Sequence, residues 1–151
     1  MSLLSKMIVG LTVAASLVAG PALAGGPEVL ASPEVPAMGP YSQVVRANGF
    51  LFLSGQIAVD PATKKLAPAD IRVQTAQALE NVKKLLTAAG RSLKDVVKVT
   101  VFLHNPADFA AMNEVYATYF PDYKPARTTV PGVSWAPGIL IEIEVIALSA
   151  R

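Results

Sequence analysis

The chain has 151 residues, 52% of them hydrophobic and 16% charged, a composition that supports one folded domain with a real core and excludes global disorder. Its 13 basic residues nearly balance its 11 acidic ones and form no cluster interleaved with aromatic residues, so nucleic acid is not an implied partner. The absence of cysteine and the single histidine, His104, exclude thiol catalysis and metal sites built on cysteine or several histidines.

The start of the chain has the pattern of a cleavable secretory signal peptide. Lys6 supplies a positive charge, residues 7–19 form an apolar run, and Ala22-Leu23-Ala24 matches an A-x-A cleavage site. Because this run is shorter than the roughly 20 apolar residues that span a bilayer, we expect cleavage after Ala24, no stable membrane anchor, and a periplasmic or secreted product. An uncleaved anchor and a misassigned start codon are the alternatives.

The segment that follows is predicted to be a linker. Residues 25–37 contain Gly26-Pro27, Ser32-Pro33 and Val35-Pro36, a composition typical of extended chain. The sequence therefore divides into a signal peptide at 1–24, a linker at 25–37 and a folded domain at 38–151.

Within the domain, the predicted elements follow the order β-β-α-β-α-β-β. Asn48-Gly49 between two short β-type runs predicts a hairpin. Asp70 can cap a first amphipathic helix and Gly90 can close it, and a second apolar stripe follows Asn105-Pro106. The predicted strands are residues 44–47, 50–54, 96–103, 126–130 and 139–148, and the predicted helices are residues 70–89 and 106–119.

The last predicted strand carries information about assembly. Strand alternation puts Glu142 and Glu144 on one face with apolar neighbours, and Ile141 and Ile143 on the other. Both faces of the sheet are therefore largely apolar, whereas two helices can cover only one of them. We predict an α+β fold with both helices on one face of the sheet, and a homo-oligomer that buries the second face.

Arg127 is the first candidate for a functional residue. It lies in Pro125-Ala126-Arg127-Thr128-Thr129 on a strand with apolar neighbours, where a fixed guanidinium is well shaped to bind a carboxylate through two parallel hydrogen bonds. The alternative is a structural ion pair with Glu142 or Glu144.

Several other polar residues are candidates with simpler alternatives. Burial would raise the pKa of Glu142 or Glu144 into the range useful for acid–base chemistry, unless both face solvent at a sheet edge. Tyr41 can line a pocket or merely pack, and Asn113 can reach a ligand or face water. Ser54-Gly55-Gln56 lies at the end of a predicted strand, where its flexible backbone can approach a neighbouring group closely. It lacks the pattern of a nucleophile elbow.

Four short motifs occur in a fixed order along the domain: Gly39-Pro40-Tyr41-Ser42-Gln43, Ser54-Gly55-Gln56-Ile57, Pro125-Ala126-Arg127-Thr128-Thr129-Val130 and Ile141-Glu142-Ile143-Glu144-Val145-Ile146-Ala147. Together they closely resemble the RidA family, also called the YjgF-type reactive-intermediate deaminases. The resemblance extends over residues 39–148.

This resemblance implies a chorismate-mutase-like mixed β-sheet, a homotrimer, and three sites in the clefts between subunits. It also implies hydrolysis of small imino or enamine acids, such as 2-iminopropionate, to 2-keto acids and ammonia without a metal or organic cofactor. Carried over residue by residue, Arg127 would hold the substrate carboxylate and Glu142 would orient or deprotonate the attacking water. Tyr41, Ser54, Gly55 and Asn113 would line the pocket, and Thr129 occupies a position where many members have cysteine.

The chain departs from the family pattern in the loop at residues 133–137, where Trp135 stands in place of the commoner Leu-Pro arrangement. Two other functions compete with imine hydrolysis. One is non-catalytic binding of small carboxylates, or a holdase-like role, which needs Arg127 but not Glu142. The other is chorismate rearrangement, which would require more cationic groups than Arg127 supplies.

Overall fold

The computed structural model describes residues 26–35 and 37–149; the predicted signal peptide lies outside the described residues. A six-stranded mixed sheet has the order β1-β2-β3-β6-β4-β5, and two helices pack on one of its faces, as predicted. The strands are β1 (Glu28–Leu30), β2 (Val44–Ala47), β3 (Phe50–Ile57), β4 (Val96–Leu103), β5 (Ala126–Pro131) and β6 (Ile141–Leu148), and the helices are α1 (Ile71–Ala88) and α2 (Phe109–Tyr119). No helix in the described part of the chain has the length and apolarity needed to cross a membrane.

The predicted hairpin joins β2 and β3 through Asn48 and Gly49. Both residues have positive φ, 49° and 81°, the backbone that a two-residue type I′ turn requires and that asparagine and glycine adopt most readily. The strands pair antiparallel from Ala47 opposite Phe50 to Val44 opposite Leu53, which confirms this prediction.

Helix α1 begins and ends where its sequence predicts. The Asp70 side chain accepts hydrogen bonds from the backbone N–H groups of Arg72 and Val73, and Gly90 follows the last turn with a φ of 72°. The predicted amphipathic pattern is confirmed, because the stripe that faces the sheet is buried; it consists of Ile71, Thr75, Ala78, Val82, Leu85 and Leu86.

Helix α2 begins later than predicted, at Phe109. Residues Pro106–Asp108 form a 3₁₀ turn instead, and the Asn105 side chain accepts a hydrogen bond from the Ala107 N–H at its start. Only Met112 and Tyr116 are buried among the residues of α2. Most of the helix surface is therefore not buried in the single subunit, and part of it lies near the edge strand β5.

The sheet has one covered face and one open face in the single subunit. Along β6, Ile141, Ile143, Val145 and Ala147 lie in the core under the helices, and the alternate residues point away from them. The open face carries large exposed apolar side chains, including Phe50 at 38% and Phe52 at 44% exposure. This is the distribution expected of an oligomer subunit; the homotrimer itself remains a prediction.

The predicted linker at residues 25–37 is folded over much of its length. Residues Glu28–Leu30 form β1 and pair antiparallel with β2, Arg46 makes an ion pair with Glu28 at 2.8 Å, and Val35 is buried in the core. A three-residue strand is too short to show an alternating hydrophobic pattern, which is why the proline-containing pairs dominated the prediction. The folded domain therefore starts at β1 rather than at residue 38.

Candidate functional site

The residues predicted to form one site lie in two groups. Glu142 is opposite Phe102 and Ile57 in the sheet and points to its open face. Arg127 is opposite Val99, a core residue, so its side chain points to the helix-covered side. We call the group around Glu142 the carboxylate face; it consists of Tyr41, Ser54, Gly55 and Glu142. We call the group around Arg127 the arginine edge; it consists of Asn113, Arg127 and Thr129.

Gly55 and Glu142 are in direct contact at the centre of the carboxylate face. The pairing of β3 with β6 shifts register between Leu53 and Gln56, and this bulge brings the Gly55 backbone under the Glu142 side chain. A Cβ at Gly55 would overlap the Glu142 carboxylate and lie 2.6 Å from its carboxyl carbon. A side chain at this position would therefore displace the Glu142 carboxylate, and the restriction comes from this close approach and not from the φ angle.

Ser54 and Tyr41 flank this contact. The Ser54 hydroxyl donates to the Ser42 carbonyl at 2.7 Å, so it ties β3 to the segment before β2 and offers its lone pairs, not its proton, to a ligand. Tyr41 is 48% exposed, and its hydroxyl accepts a hydrogen bond from the Met38 N–H at 3.2 Å. A small cavity of about 90 Å³ lies between Tyr41 and Gly55 and continues toward Ile57.

Glu142 has the electrostatic character of an acid–base group. Burial raises the pKa of its carboxyl above the ordinary value for glutamate, and the charge of Glu144, two residues along the same face, raises it further. The Trp135 side chain opposes the rise in pKa, although it makes no hydrogen bond of normal geometry with Glu142. A raised pKa makes this carboxyl better suited to accept a proton and to return it than an ordinary glutamate.

The loop that carries Trp135 is held at both ends. At its start, the Val133 N–H donates to the Leu103 carbonyl at 3.1 Å, and Nδ1 of His104 lies 3.0 Å from the Val133 carbonyl. At its end, the buried Gln74 side chain donates to the Gly138 carbonyl at 2.8 Å and accepts from the Leu140 N–H at 2.9 Å. The loop thus positions Trp135 beside Glu142.

The sequence alone does not predict this arrangement. Trp135 departs from the family pattern, but its proximity to Glu142 depends on how the loop crosses the end of β4. The signal for Gln74 was a polar residue on the buried side of α1, and the solitary His104 proves to be a structural contact of the loop.

Arg127 at the arginine edge rests on aromatic rings and not on a carboxylate. Its guanidinium carbon lies 4.5 Å from the ring centroid of Tyr116 and 5.9 Å from that of Phe109. Among the described residues, no carboxylate oxygen comes within 4.0 Å of it. The alternative of an ion pair with Glu142 or Glu144 is therefore wrong for the single subunit, because those carboxylates project from the opposite face.

Asn113 and Thr129 share this side of the molecule with Arg127. Thr129 is two residues along β5 and is opposite the core residue Val101. Asn113 is one helical turn from both Phe109 and Tyr116, so it lies on the same face of α2. The arginine edge thus offers a guanidinium, an amide and a hydroxyl, which can together bind a small carboxylate.

A single subunit does not bring Arg127 and Glu142 together. In the described part of the chain, no three His, Asp or Glu side chains are arranged to hold a metal ion. Among the described side chains, the arginine edge carries groups that can bind an anion, and the carboxylate face carries a group suited to proton transfer.

Comparison with known proteins places this architecture in a family. The family model described as Endoribonuclease L-PSP matches residues 32–149. A RutC family protein of Pyrococcus horikoshii is 54% identical over 110 residues, which cover 73% of this chain and 87% of that protein. The mouse protein named 2-iminobutanoate/2-iminopropanoate deaminase is 40% identical over 112 residues, which cover 74% of this chain and 83% of that one.

Solved structures agree with the sequence matches. The crystal structure of the Rid family protein YyfA from Yersinia pestis superposes with a TM-score of 0.78 at 41% identity, covering 82% of this chain and 99% of that one. Both kinds of match extend over nearly the whole described domain. The chain therefore belongs to the Endoribonuclease L-PSP family, which includes the RutC and YjgF (RidA-type) proteins.

Proposed function

We propose that this protein hydrolyses small 2-imino acids and their enamine tautomers to 2-keto acids and ammonia, at sites shared between the subunits of a homotrimer. The observation that carries the proposal is an arginine with no acidic partner in the described chain, together with a carboxyl of raised pKa on the opposite, uncovered face. Relatives named for deamination of reactive intermediates and of 2-iminobutanoate support the same reaction.

The assembly step follows from the placement of the two groups. Because Arg127 and Glu142 point to opposite sides of one sheet, a substrate that touches both must lie between two copies of the chain. The carboxylate face of one subunit is part of the apolar open face that assembly would bury. Docking the arginine edge of the next subunit against it completes one site, and three such contacts close a ring.

In this arrangement Arg127 binds the substrate carboxylate through two parallel hydrogen bonds and fixes the position of the adjacent C=N carbon. Glu142 accepts a proton from a water molecule as the water oxygen adds to the carbon of the protonated imine, whose nitrogen becomes a neutral amine. The carboxylic acid so formed then donates its proton to that nitrogen. The C–N bond breaks and ammonia leaves as the C=O bond forms, and the hydroxyl proton returns to the Glu142 carboxylate, which passes it to solvent. Of the remaining five predicted site residues, Tyr41, Ser54 and Gly55 would line the site from the subunit that supplies Glu142, and Asn113 and Thr129 from the subunit that supplies Arg127.

The reaction needs little more than positioning and one proton shuttle. An imine carbon is already electrophilic, so no covalent intermediate with the protein is required, and the raised pKa of Glu142 suits both halves of the shuttle. The contact between Gly55 and the Glu142 carboxylate fixes the orientation of the base.

The test is a coupled assay on the protein without its first 24 residues. An amino-acid oxidase generates 2-imino acids, and semicarbazone formation reports how fast they disappear. We expect the protein to accelerate this loss, and Arg127→Ala to reduce the acceleration by about a hundredfold because the charge-assisted contacts to the carboxylate are lost. Unchanged hydrolysis by Arg127→Ala would refute the mechanism.

The second candidate is a non-catalytic, holdase-like protein that binds small carboxylates. Arg127 alone supports it, since a guanidinium free of acidic partners in the described chain is sufficient for anion binding. Replacement of Glu142 by Gln separates the two functions: it leaves carboxylate affinity intact in both, but abolishes imine hydrolysis only if the protein is an enzyme.

The near balance of basic and acidic residues gives no electrostatic footprint for RNA.

We also propose that the protein is exported and that its signal peptide is cut after Ala24. The support is the sequence pattern of a positive start, an apolar run and an A-x-A site. The intact mass of protein recovered from the periplasm or medium tests this proposal. A product that begins at Gly25 is expected, and retention of Met1 in a cytoplasmic fraction would contradict it.

A further inference from the structure

Arg127 is fixed in place without a counter-ion from the described part of its own chain. Its guanidinium carbon lies 4.5 Å above the Tyr116 ring, and the Phe109 ring is on the same side of α2. The Tyr116 ring is in turn packed on Phe120, with ring centroids 4.8 Å apart. We call the Tyr116 and Phe109 rings the aromatic seat of Arg127.

The acidic residue next to this site on α2 is engaged elsewhere. Glu114 follows Asn113 and forms an ion pair with Arg72 of α1. Tyr116 is also no source of negative charge, since burial raises the pKa of its phenol to about 12. Nothing in the described surroundings of Arg127 therefore neutralises it.

We propose that Tyr116, with Phe109, acts as a positioning residue that orders Arg127 through its ring face and so reserves the full charge of the guanidinium for a ligand carboxylate. A carboxylate partner would order the arginine equally well, but a substrate would have to displace it. An aromatic face attracts the cation and leaves its N–H donors free in the plane of the guanidinium. This inference rests on the proposed function only in taking a small 2-oxo or 2-imino carboxylate as the ligand.

The two rings contribute unequally. Tyr116 is 7% exposed and lies closer to the guanidinium, whereas Phe109 is 45% exposed and lies farther away. Cation–π attraction is stronger where the pair is shielded from water. Loss of the Tyr116 ring should therefore weaken ligand binding by about tenfold, and loss of the Phe109 ring by about threefold.

The experiment compares Tyr116→Leu, Tyr116→Phe and Phe109→Leu with a matched control, Phe120→Leu. The control removes a buried ring from the same aromatic group without removing a ring that contacts Arg127. Two quantities are measured in each variant: the NMR shift of the Arg127 Nε–Hε group, which the ring current of the seat displaces, and the dissociation constant for pyruvate. Circular dichroism reports whether each variant is folded.

We expect the ring-current displacement and the pyruvate affinity to fall in Tyr116→Leu, to fall less in Phe109→Leu, and to persist in Tyr116→Phe and Phe120→Leu. An unchanged Arg127 signal and unchanged affinity in both leucine variants of the seat would overturn the proposal. If Tyr116→Leu does not fold, Phe109→Leu, at an exposed position, still shows whether loss of a seat ring lowers the ring-current displacement and the pyruvate affinity. If the wild-type protein binds pyruvate through an ordered Arg127 but hydrolyses no imine, the proposed function is refuted, whereas the proposal for the aromatic seat still stands.

Discussion

The arginine edge and the carboxylate face solve the same physical problem, a charged side chain near apolar surface, in opposite ways. Arg127 is held by aromatic rings, and its nearest acidic neighbour on α2 is paired elsewhere, so no described carboxylate neutralises its charge. Glu142 is pressed against Gly55 in a partly buried position that makes its charge costly, and its pKa rises. In the proposed function, the first region binds the substrate anion and the second exchanges a proton.

Neither region is complete alone. Binding without proton transfer leaves an imine intact, and proton transfer without an anchored substrate has nothing to act on. The two regions lie on opposite sides of one sheet. We therefore expect the activity to belong to the assembly, and the largest predicted effect concerns mixed subunits.

Arg127→Ala and Glu142→Gln should each lose nearly all activity, but mixing the two should restore part of it. If each site takes Arg127 from one subunit and Glu142 from its neighbour, random reassembly in equal amounts leaves about a quarter of the sites intact. The measurement is imine hydrolysis before and after the two variants are unfolded and refolded together. A mixture that stays as inactive as its components would show that both residues act from the same chain.

The next largest effect is expected at Gly55. Gly55→Ala puts a methyl group into the space of the Glu142 carboxylate, and the rigid bulge of β3 cannot easily withdraw, so the carboxylate must turn away. We expect kcat for imine hydrolysis to fall by more than about tenfold, while pyruvate affinity changes less, because the guanidinium that binds the carboxylate comes from the neighbouring subunit and does not contact Gly55. Gly49→Ala is the control for added bulk, since no atom lies within 4 Å of its Cβ position, although its positive φ lowers stability.

Much of the fold could be predicted from sequence because its signals are local. The Asn48-Gly49 turn, the Asp70 cap and the stripe of α1 each depend on neighbouring residues and appear as expected. The three-residue strand β1 could not be predicted, since its stability comes from pairing with β2 and from the burial of Val35.

The candidate site was predictable as a set of residue types but not as an arrangement. Alternation along β6 correctly put Glu142 on the face opposite Ile141. The orientation of Arg127 depends on the parallel pairing of β5 with β4, a contact between segments far apart in the chain. Its aromatic seat likewise depends on the packing of α2 near the sheet edge, and the sequence shows Phe109 and Tyr116 only as members of an apolar stripe.

A smaller effect should appear in the pH dependence of the reaction. Glu142 must be ionised to accept a proton from water, so kcat/KM for imine hydrolysis rises with pH through the pKa of its carboxyl. Trp135 lowers that pKa and Glu144 raises it. Trp135→Phe should therefore move the acidic limb to higher pH and Glu144→Gln should move it to lower pH, each by less than about one unit.

These opposite displacements distinguish a local effect on Glu142 from a general loss of structure. The pH profile of kcat/KM is measured for both variants and for the wild-type protein under one set of conditions. Shifts in the same direction would mean that another group controls the acidic limb.

The smallest effect concerns the stability of the aromatic seat. The Tyr116 hydroxyl is buried and has no hydrogen-bond partner among the described residues, and an unsatisfied buried hydroxyl costs about 1–3 kcal/mol. Tyr116→Phe removes this cost and keeps the ring that Arg127 contacts, so we expect the thermal midpoint to rise by a few degrees, about 1 kcal/mol in stability. Phe120→Leu provides the contrast, since it loses packing without relieving an unsatisfied group and should lower the midpoint. A lower midpoint for Tyr116→Phe would show that the hydroxyl has a partner in the assembled protein, and the arginine edge would then be held by a hydrogen bond as well as by its rings.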